Sequence, residues 1–256
     1  MKMLMYIFIL LSLKTTHVYA IEPNEANDLC QCCEQSPNSA FTELQKLNTA
    51  IICNQNFSTK WSHKKEAKEW TKTLCESLAT EGANLFNSRI KDIKSYCPNY
   101  ENLKSIEQKM QFWIMLLTEI ASFETINFNT NEMGDVRHFG RENASIGLFQ
   151  MSHRDNCPGI NSNEDLTNAS KNIRCAVYKL NQLISSDQVI ASKPADGAAR
   201  YWGPLREPKG AEVEISKLSA KEMKRYNCVG KKCISKREQI KRNTRDLNIC
   251  RVLSKK

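Results

Sequence analysis

Met110, Ile114, Leu117, Ala121 and Glu124 follow one another at steps of four, three, four and three, the spacing of one face of an α-helix. The stripe is apolar until its last member, which is a carboxylic acid. A carboxyl held against apolar groups loses hydration of its charged form, so its pKa rises and it can stay protonated near neutrality. A general acid needs that property. Cleavage of a glycosidic bond requires such a group to protonate the departing oxygen while positive charge builds on the sugar. Glu119, five residues earlier and turned about 140° around the same helix, is expected to point outward. The stripe by itself fits an ordinary glutamate at a helix end equally well, so other residues must decide.

A hydrolase acting with inversion also wants a general base on the opposite face of the sugar, and one acting with retention wants a nucleophile close by. The acids in reach are Asp135, Glu142 and Asp155, each of which also fits a solvated loop position. Arg137, His138, Arg141, His153 and Arg154 flank the same stretch, where they would suit carboxylates on a substrate or face solvent. His63, His138 and His153 lack metal-ligand spacing with one another, and the chemistry calls for no metal or other cofactor.

The stretch Ser145-Ile146-Gly147-Leu148-Phe149-Gln150-Met151-Ser152 carries a resemblance. It is similar to a segment of the lysozyme-like lytic transglycosylases and, more distantly, of the goose-type lysozymes. In those families a Glu followed by a small hydroxyl residue ends a helix, and Gly-Leu-Met-Gln comes about twenty residues later. Here Glu124-Thr125 is followed after 23 residues by Gly147-Leu148-Phe149-Gln150. Ala198-Ala199-Arg200-Tyr201-Trp202-Gly203-Pro204 resembles the late Ala-x-x-Tyr-Asn-x-Gly-Pro block, with Trp202 in place of Asn and one residue fewer. Asn172-Ile173-Arg174-Cys175-Ala176-Val177-Tyr178 resembles the families' Asn-Ile-x-x-Gly helix. The four blocks stand in the same order and span about residues 105 to 206.

The resemblance implies a mainly α, lysozyme-like catalytic lobe, α+β at most through a short hairpin. It implies cleavage of the β-1,4 bond between N-acetylmuramic acid and N-acetylglucosamine in peptidoglycan. Glu124 would be the proton donor, Ser145, Gly147, Leu148, Phe149 and Gln150 would bind the glycan, and Tyr201 would orient the acid or the sugar. Asp135, in Met133-Gly134-Asp135, resembles a loop acid of goose-type lysozymes, whereas the Asp that follows the glycine block there is Ser152 here. If neither Asp135 nor Glu142 serves as a second carboxylate, the single-acid route of the transglycosylases applies. Glu124 then returns as base while the sugar's own hydroxyl closes an anhydro ring. The competing class is a non-catalytic glycan-binding or inhibitory protein that has kept the lobe.

The elements that must position these residues are mainly helical. Spacing predicts a helix from near Glu101 to about Phe123, a long loop over 127–146 with room for a short hairpin, and a helix over about 165–185. Helical spacing also runs through Phe41, Leu44, Leu47 and Ile51, and through Leu74, Leu78 and Leu85. Pro194, Gly203, Pro204, Pro208 and Gly210 break the chain after the second block of helix. No alternating apolar run signals a strand, and the tail from Lys217 is expected to be helical between its cysteines.

Residues 1–20 combine Lys2, an apolar run of about eleven residues and Val18-Tyr19-Ala20, the pattern of a signal peptide cut after Ala20; the run is too short to span a bilayer. The chain is therefore expected to be secreted or periplasmic, with no transmembrane segment. All eleven cysteines follow that segment, which favours disulfides, Cys228 and Cys233 included, over half a zinc site. The odd count leaves one thiol over, expected within Cys30, Cys32 and Cys33. The formal charge is +9, but residues 205 to 256 hold 16 Lys and Arg against 6 Asp and Glu. That basic tail suits an anionic wall polymer or surface, or is simply solvated. It lacks the interleaved aromatics of a single-stranded nucleic-acid platform. The organisation expected is a signal peptide over 1–20, a Cys-rich helical extension over 21–100, the catalytic lobe over 101–208 and a basic extension over 209–256.

Overall fold

The structure, a computed structural model, describes residues 48–134, 136–206 and 232–251, together with the backbone of 212–214 and 227–229. All of them belong to the unit Leu47–Lys256. The signal peptide, the Cys30–Cys33 cluster, Phe41, Leu44, Leu47 and Asp135 lie outside the described residues.

The chain is mainly helical, as the periodicity predicts, with α1 at Ala67–Ala79, α2 at Ile106–Glu124, a single turn α3 at Val136–Phe139, α4 at Ala169–Asp187, a second single turn α5 at Gly203–Arg206, and α6 at Lys236–Arg245. Helix α2 starts at Ile106 rather than near Glu101. Ser105 caps it, its hydroxyl accepting from Gln108 N while the Gln108 side chain reaches back to Ser105 N. Glu101 belongs instead to a 3-10 turn over Tyr100–Asn102. Helix α4 is set by Asn168, whose side chain accepts from Lys171 N, so it begins later than the apolar pattern alone suggests.

Helix α2 is the centre of the fold. Phe112, Trp113, Ile114, Leu116, Leu117, Ile120 and Ala121 are all fully buried, so the helix is enclosed on nearly every side rather than along one stripe. Helices α1 and α4 pack along each other, α1 touches α2 on one side, and α6 covers another. The segment before α1 also lies on α2. Ser58 and Gln111 exchange two hydrogen bonds of 2.9 Å, and Lys60 N donates to Thr118 Oγ1 at 3.1 Å. Trp61 fills the space between, its ring meeting Trp70, Phe128 and Phe149 edge-on.

One continuous core contains Trp61 and Leu74 at one end of the sequence and Ile240 and Cys250 at the other. The expected boundaries at 100 and 208 are therefore not boundaries of the core. Three disulfides reinforce it. Cys53–Cys75 ties a helical turn over 48–53 to α1, Cys157–Cys175 ties the loop after Gln150 to α4, and Cys97–Cys250 closes a span of 153 residues. Cys233 is disulfide-bonded as well.

The tail is helical between Cys233 and Cys250, as expected, through α6, but not between Cys228 and Cys233. Cys228 and Cys233 lie opposite each other on paired strands, not on a helix. β1 (Glu212–Glu214), β2 (Asn227–Val229) and β3 (Lys232–Ile234) form an antiparallel sheet in the order β1-β3-β2. Three-residue strands are too short to leave an alternating signature. Among the described residues no helix is long and apolar enough to cross a membrane.

The enclosure of α2 overturns the expectation that Glu119 faces outward, for it is 1% exposed. Lys60 Nζ meets its Oε1 at 3.3 Å, and Asn243 of α6 also reaches it. Burial holds this carboxyl above its ordinary value of 4.5, opposed by the Lys60 ammonium and the Asn243 amide. The folded protein thus binds the proton more tightly than the unfolded chain. The stability linked to Glu119 is fully present below about pH 4.5 and falls as pH rises through the folded value. Glu119→Gln should flatten that fall in urea unfolding followed from pH 4 to 8; parallel curves for the two proteins would show that the slope comes from elsewhere.

Candidate functional site

Glu124 is the last residue of α2, and its Oε1 is sealed from solvent. The residue after it closes the helix: both the amide and the hydroxyl of Thr125 donate to Ala121 O, at 3.1 and 3.2 Å. The chain then turns through Ile126–Phe128, with Asn127 and Phe128 both left-handed at φ 51° and 54°. A groove of about 510 Å³ opens beside this turn, lined by Lys64, Glu66, Trp70 and Ile126 to Thr130.

The loop from 129 to 151 folds back on itself through short turns and two isolated β-bridges, Met133 to Ile146 and Ile146 to Met151. Glu132 joins it to the helix end. Its carboxylate accepts from Ile126 N, and its carbonyl accepts from Gly147 N at 3.0 Å and Gln150 Nε2 at 2.9 Å. Gly134 N donates to Ser145 O at 2.7 Å, and a side chain at Gly134 would press on Ser145 Oγ and Gln150 Oε1.

Beneath the loop lies the Asn172 side chain of α4, wholly buried. It accepts from Phe149 N at 2.9 Å and donates to Ile146 O and Leu166 O at 2.8 and 3.1 Å. Leu148 and Phe149 are also wholly buried. Their side chains anchor the loop in the core and cannot line a surface, so any glycan contact from these two residues is through backbone. Gly147 and Gln150 are the turn itself, at φ 78° and 51°.

Tyr201 completes the arrangement from the other side. Its hydroxyl donates to the Asp155 carboxylate and lies 3.1 Å from Gln150 O. Burial pushes this phenol well above its ordinary range, reinforced by the charges of Asp155 and Glu124, so it remains a donor at every working pH. That electrostatic coupling also places Tyr201 and Glu124 in each other's neighbourhood. Lys179 Nζ lies 3.4 Å from Asp155 Oδ1 and 5.4 Å from the Tyr201 ring centre. Asp155 also accepts from Ser152 N at 2.8 Å. Trp202 is a core residue whose indole donates to Phe149 O at 3.1 Å, and Arg206 holds the carbonyls of Ala199, Arg200 and Tyr201.

The structure therefore joins Gly147, Gln150, Asp155 and Tyr201 in one hydrogen-bond network, with Ser145 at its edge and Glu124 within electrostatic reach of Tyr201. Glu142 is exposed on a turn anchored by Asn163, which donates to Glu142 O and Ala144 O. Glu132, Asn163, Lys179 and Arg206 are additions that sequence reasoning missed. Only Lys179, seven residues after Asn172 and so on the same helix face, left a readable spacing. Among the described residues no cluster of three or more His, Cys, Asp or Glu is placed to hold a metal ion.

A Cβ on Gly147 would stand 2.5 Å from Asn172 Nδ2 and 2.7 Å from Leu166 O. Left-handed strain and the clash act together, so Gly147→Ala should cost ~3 kcal/mol in denaturant unfolding and reduce any activity of the site. An unchanged midpoint would mean that the turn relaxes around the methyl group.

No family model matches the chain, and no curated protein matches it. Solved structures do. Bd0314 DslA in wild-type form 2 is similar at 26% identity with a TM-score of 0.59, over 77% of this chain and 100% of that one. Two variants of DslA with a Glu-to-Gln replacement, at positions eleven residues apart in that protein, give TM-scores of 0.59 and 0.58 with the same coverage.

Proposed function

We propose that the protein is exported and cleaves the β-1,4 bond between N-acetylmuramic acid and N-acetylglucosamine in peptidoglycan, with Glu124 as general acid. One observation carries the reading. Glu124 stands at the end of a buried helix with one oxygen sealed from solvent, within electrostatic reach of the partly buried Tyr201, whose hydroxyl meets the carbonyl of Gln150 in the Gly147–Gln150 turn.

In the reaction, Glu124 gives its proton to the oxygen leaving C1 of the muramic acid as the bond to that oxygen breaks. The electron deficiency left on the ring is then relieved in one of two ways. A water attacks, loses a proton to a second carboxylate and yields a reducing end, or the sugar's own C6 hydroxyl attacks, loses its proton to Glu124 and yields an anhydro end. Tyr201 donates a hydrogen bond and cannot serve as base. Disulfides agree with an oxidising compartment outside the cytoplasm, and the basic tail suits an anionic wall.

The test is mass spectrometry of sugars released from purified peptidoglycan by the oxidised protein, run beside Glu124→Gln. The expected outcome is release by the native protein and a loss of at least about a thousandfold in the variant. Anhydro ends would assign the single-acid route, and reducing ends carrying solvent oxygen the hydrolytic one. Equal release by the variant would remove Glu124 from its role. No release from walls of any acetylation state would leave a glycan-binding protein.

A further inference from the structure

We infer that Glu132 is a positioning residue that holds Glu124 in its working geometry; this rests on Glu124 being the acid. The helix that carries Glu124 ends at Thr125, and the next free backbone donor, Ile126 N, is taken by the Glu132 carboxylate. Beyond it, two consecutive non-glycine residues, Asn127 and Phe128, sit in the left-handed region. Such strain persists only where the surroundings over-determine it.

The side chains of these residues are held from one direction. The Phe128 ring packs against Trp61 and His63, and Asn127 Oδ1 lies 3.4 Å from His63 Nε2. The backbone is held from the other direction, by Glu132. Glu132 in turn is immobilised by its own carbonyl, which takes both Gly147 N and Gln150 Nε2. A single residue thereby couples the end of the acid-bearing helix to the turn whose Gln150 carbonyl faces Tyr201. Without the carboxylate, Ile126 N loses its acceptor, and the strained turn keeps only its local bonds, Thr125 N to Ala121 O and Asn129 N to Ile126 O. The helix end can then unwind toward ordinary dihedrals and shift the acid relative to Tyr201.

Removing a positioning contact at this distance misplaces the acid without removing a contact to substrate, so the loss falls on kcat and spares KM. The interaction needs an acceptor, not a charge, and glutamine supplies one.

The experiment compares Glu132→Ala and Glu132→Gln in the full, oxidised chain by steady-state cleavage of peptidoglycan and by amide exchange of the 124–130 segment. The alanine variant is expected to lose on the order of tenfold or more in kcat at nearly constant KM and to lose protection at Ile126. The glutamine variant should recover most of both. Native kcat in the alanine variant, or equal impairment of both variants, overturns this role alone and leaves Glu124 in place. A native protein that cleaves no glycan overturns the reading of Glu124 and this role with it.

Discussion

A helix buried on almost every side can offer a carboxylate for chemistry only at one of its ends. Helix α2 is such a helix, with Phe112, Trp113, Ile114, Leu116, Leu117, Ile120 and Ala121 all in the core. An unpaired charge midway along it would cost several kcal/mol, and the acid that does sit midway, Glu119, is matched by Lys60 and Asn243. Glu124 sits instead in the last turn of the helix, half-buried, where the polar loop after it comes within reach. The same location leaves it dependent on whatever holds the chain after it, since the final turn frays readily.

What holds it is a polar loop whose hydrogen bonds are almost all internal. Asn172 makes three from a wholly buried position, Gln150 and Glu132 hold the turn to the helix end, and Tyr201 and Trp202 reach in from the far side of the loop. In a low-dielectric setting a network of this kind is stiff because breaking any member strands a buried polar group. Stiffness matters for an acid catalyst, whose proton must lie in line with the departing oxygen at the moment of bond breaking. The aromatic contacts of Trp61 with Phe128 and Phe149 serve the same end by packing the two ends of the loop against one ring.

Local regularity made part of this legible in the sequence. The steps from Met110 to Glu124 identify the helix and its terminal acid, because side chains four and three residues apart share a face. The 169–187 helix was readable for the same reason. The burial of Glu119 was not, because α6, which covers it, reads Lys-Arg-Glu-Gln-Ile-Lys-Arg-Asn-Thr-Arg and shows no apolar face beyond Ile240. That helix buries Arg237 and Lys241 instead, each against Tyr96. Pairing of Cys97 with Cys250 was equally invisible, since spacing carries no record of which distant residues fold together. Leu148 and Phe149 were legible as part of a block, but a block does not say which side chains face inward. Alternation of buried and exposed positions fails in a turn as tight as this one.

The second carboxylate is where geometry narrows the chemistry of the proposed reaction. Asp155 is close to the network, yet its oxygens already receive Ser152 N, the Tyr201 hydroxyl and Lys179 Nζ. A base must have a lone pair free to take a proton from water, and three donors around one carboxylate leave little room for a fourth partner. Asp155 is therefore better suited to fixing Tyr201 than to activating a nucleophile. Glu142 faces solvent on a turn anchored by Asn163, outside the hydrogen-bond network around Tyr201. Of the acids weighed from the sequence, only Asp135 is left for a two-carboxylate route, two residues after Met133 in the sequence. If Asp135 does not serve, Glu124, ionised once it has protonated the leaving oxygen, must act as the base. The proton it then accepts comes from the substrate, because the sugar's own C6 hydroxyl is the nucleophile that needs no second protein base to hold it in place.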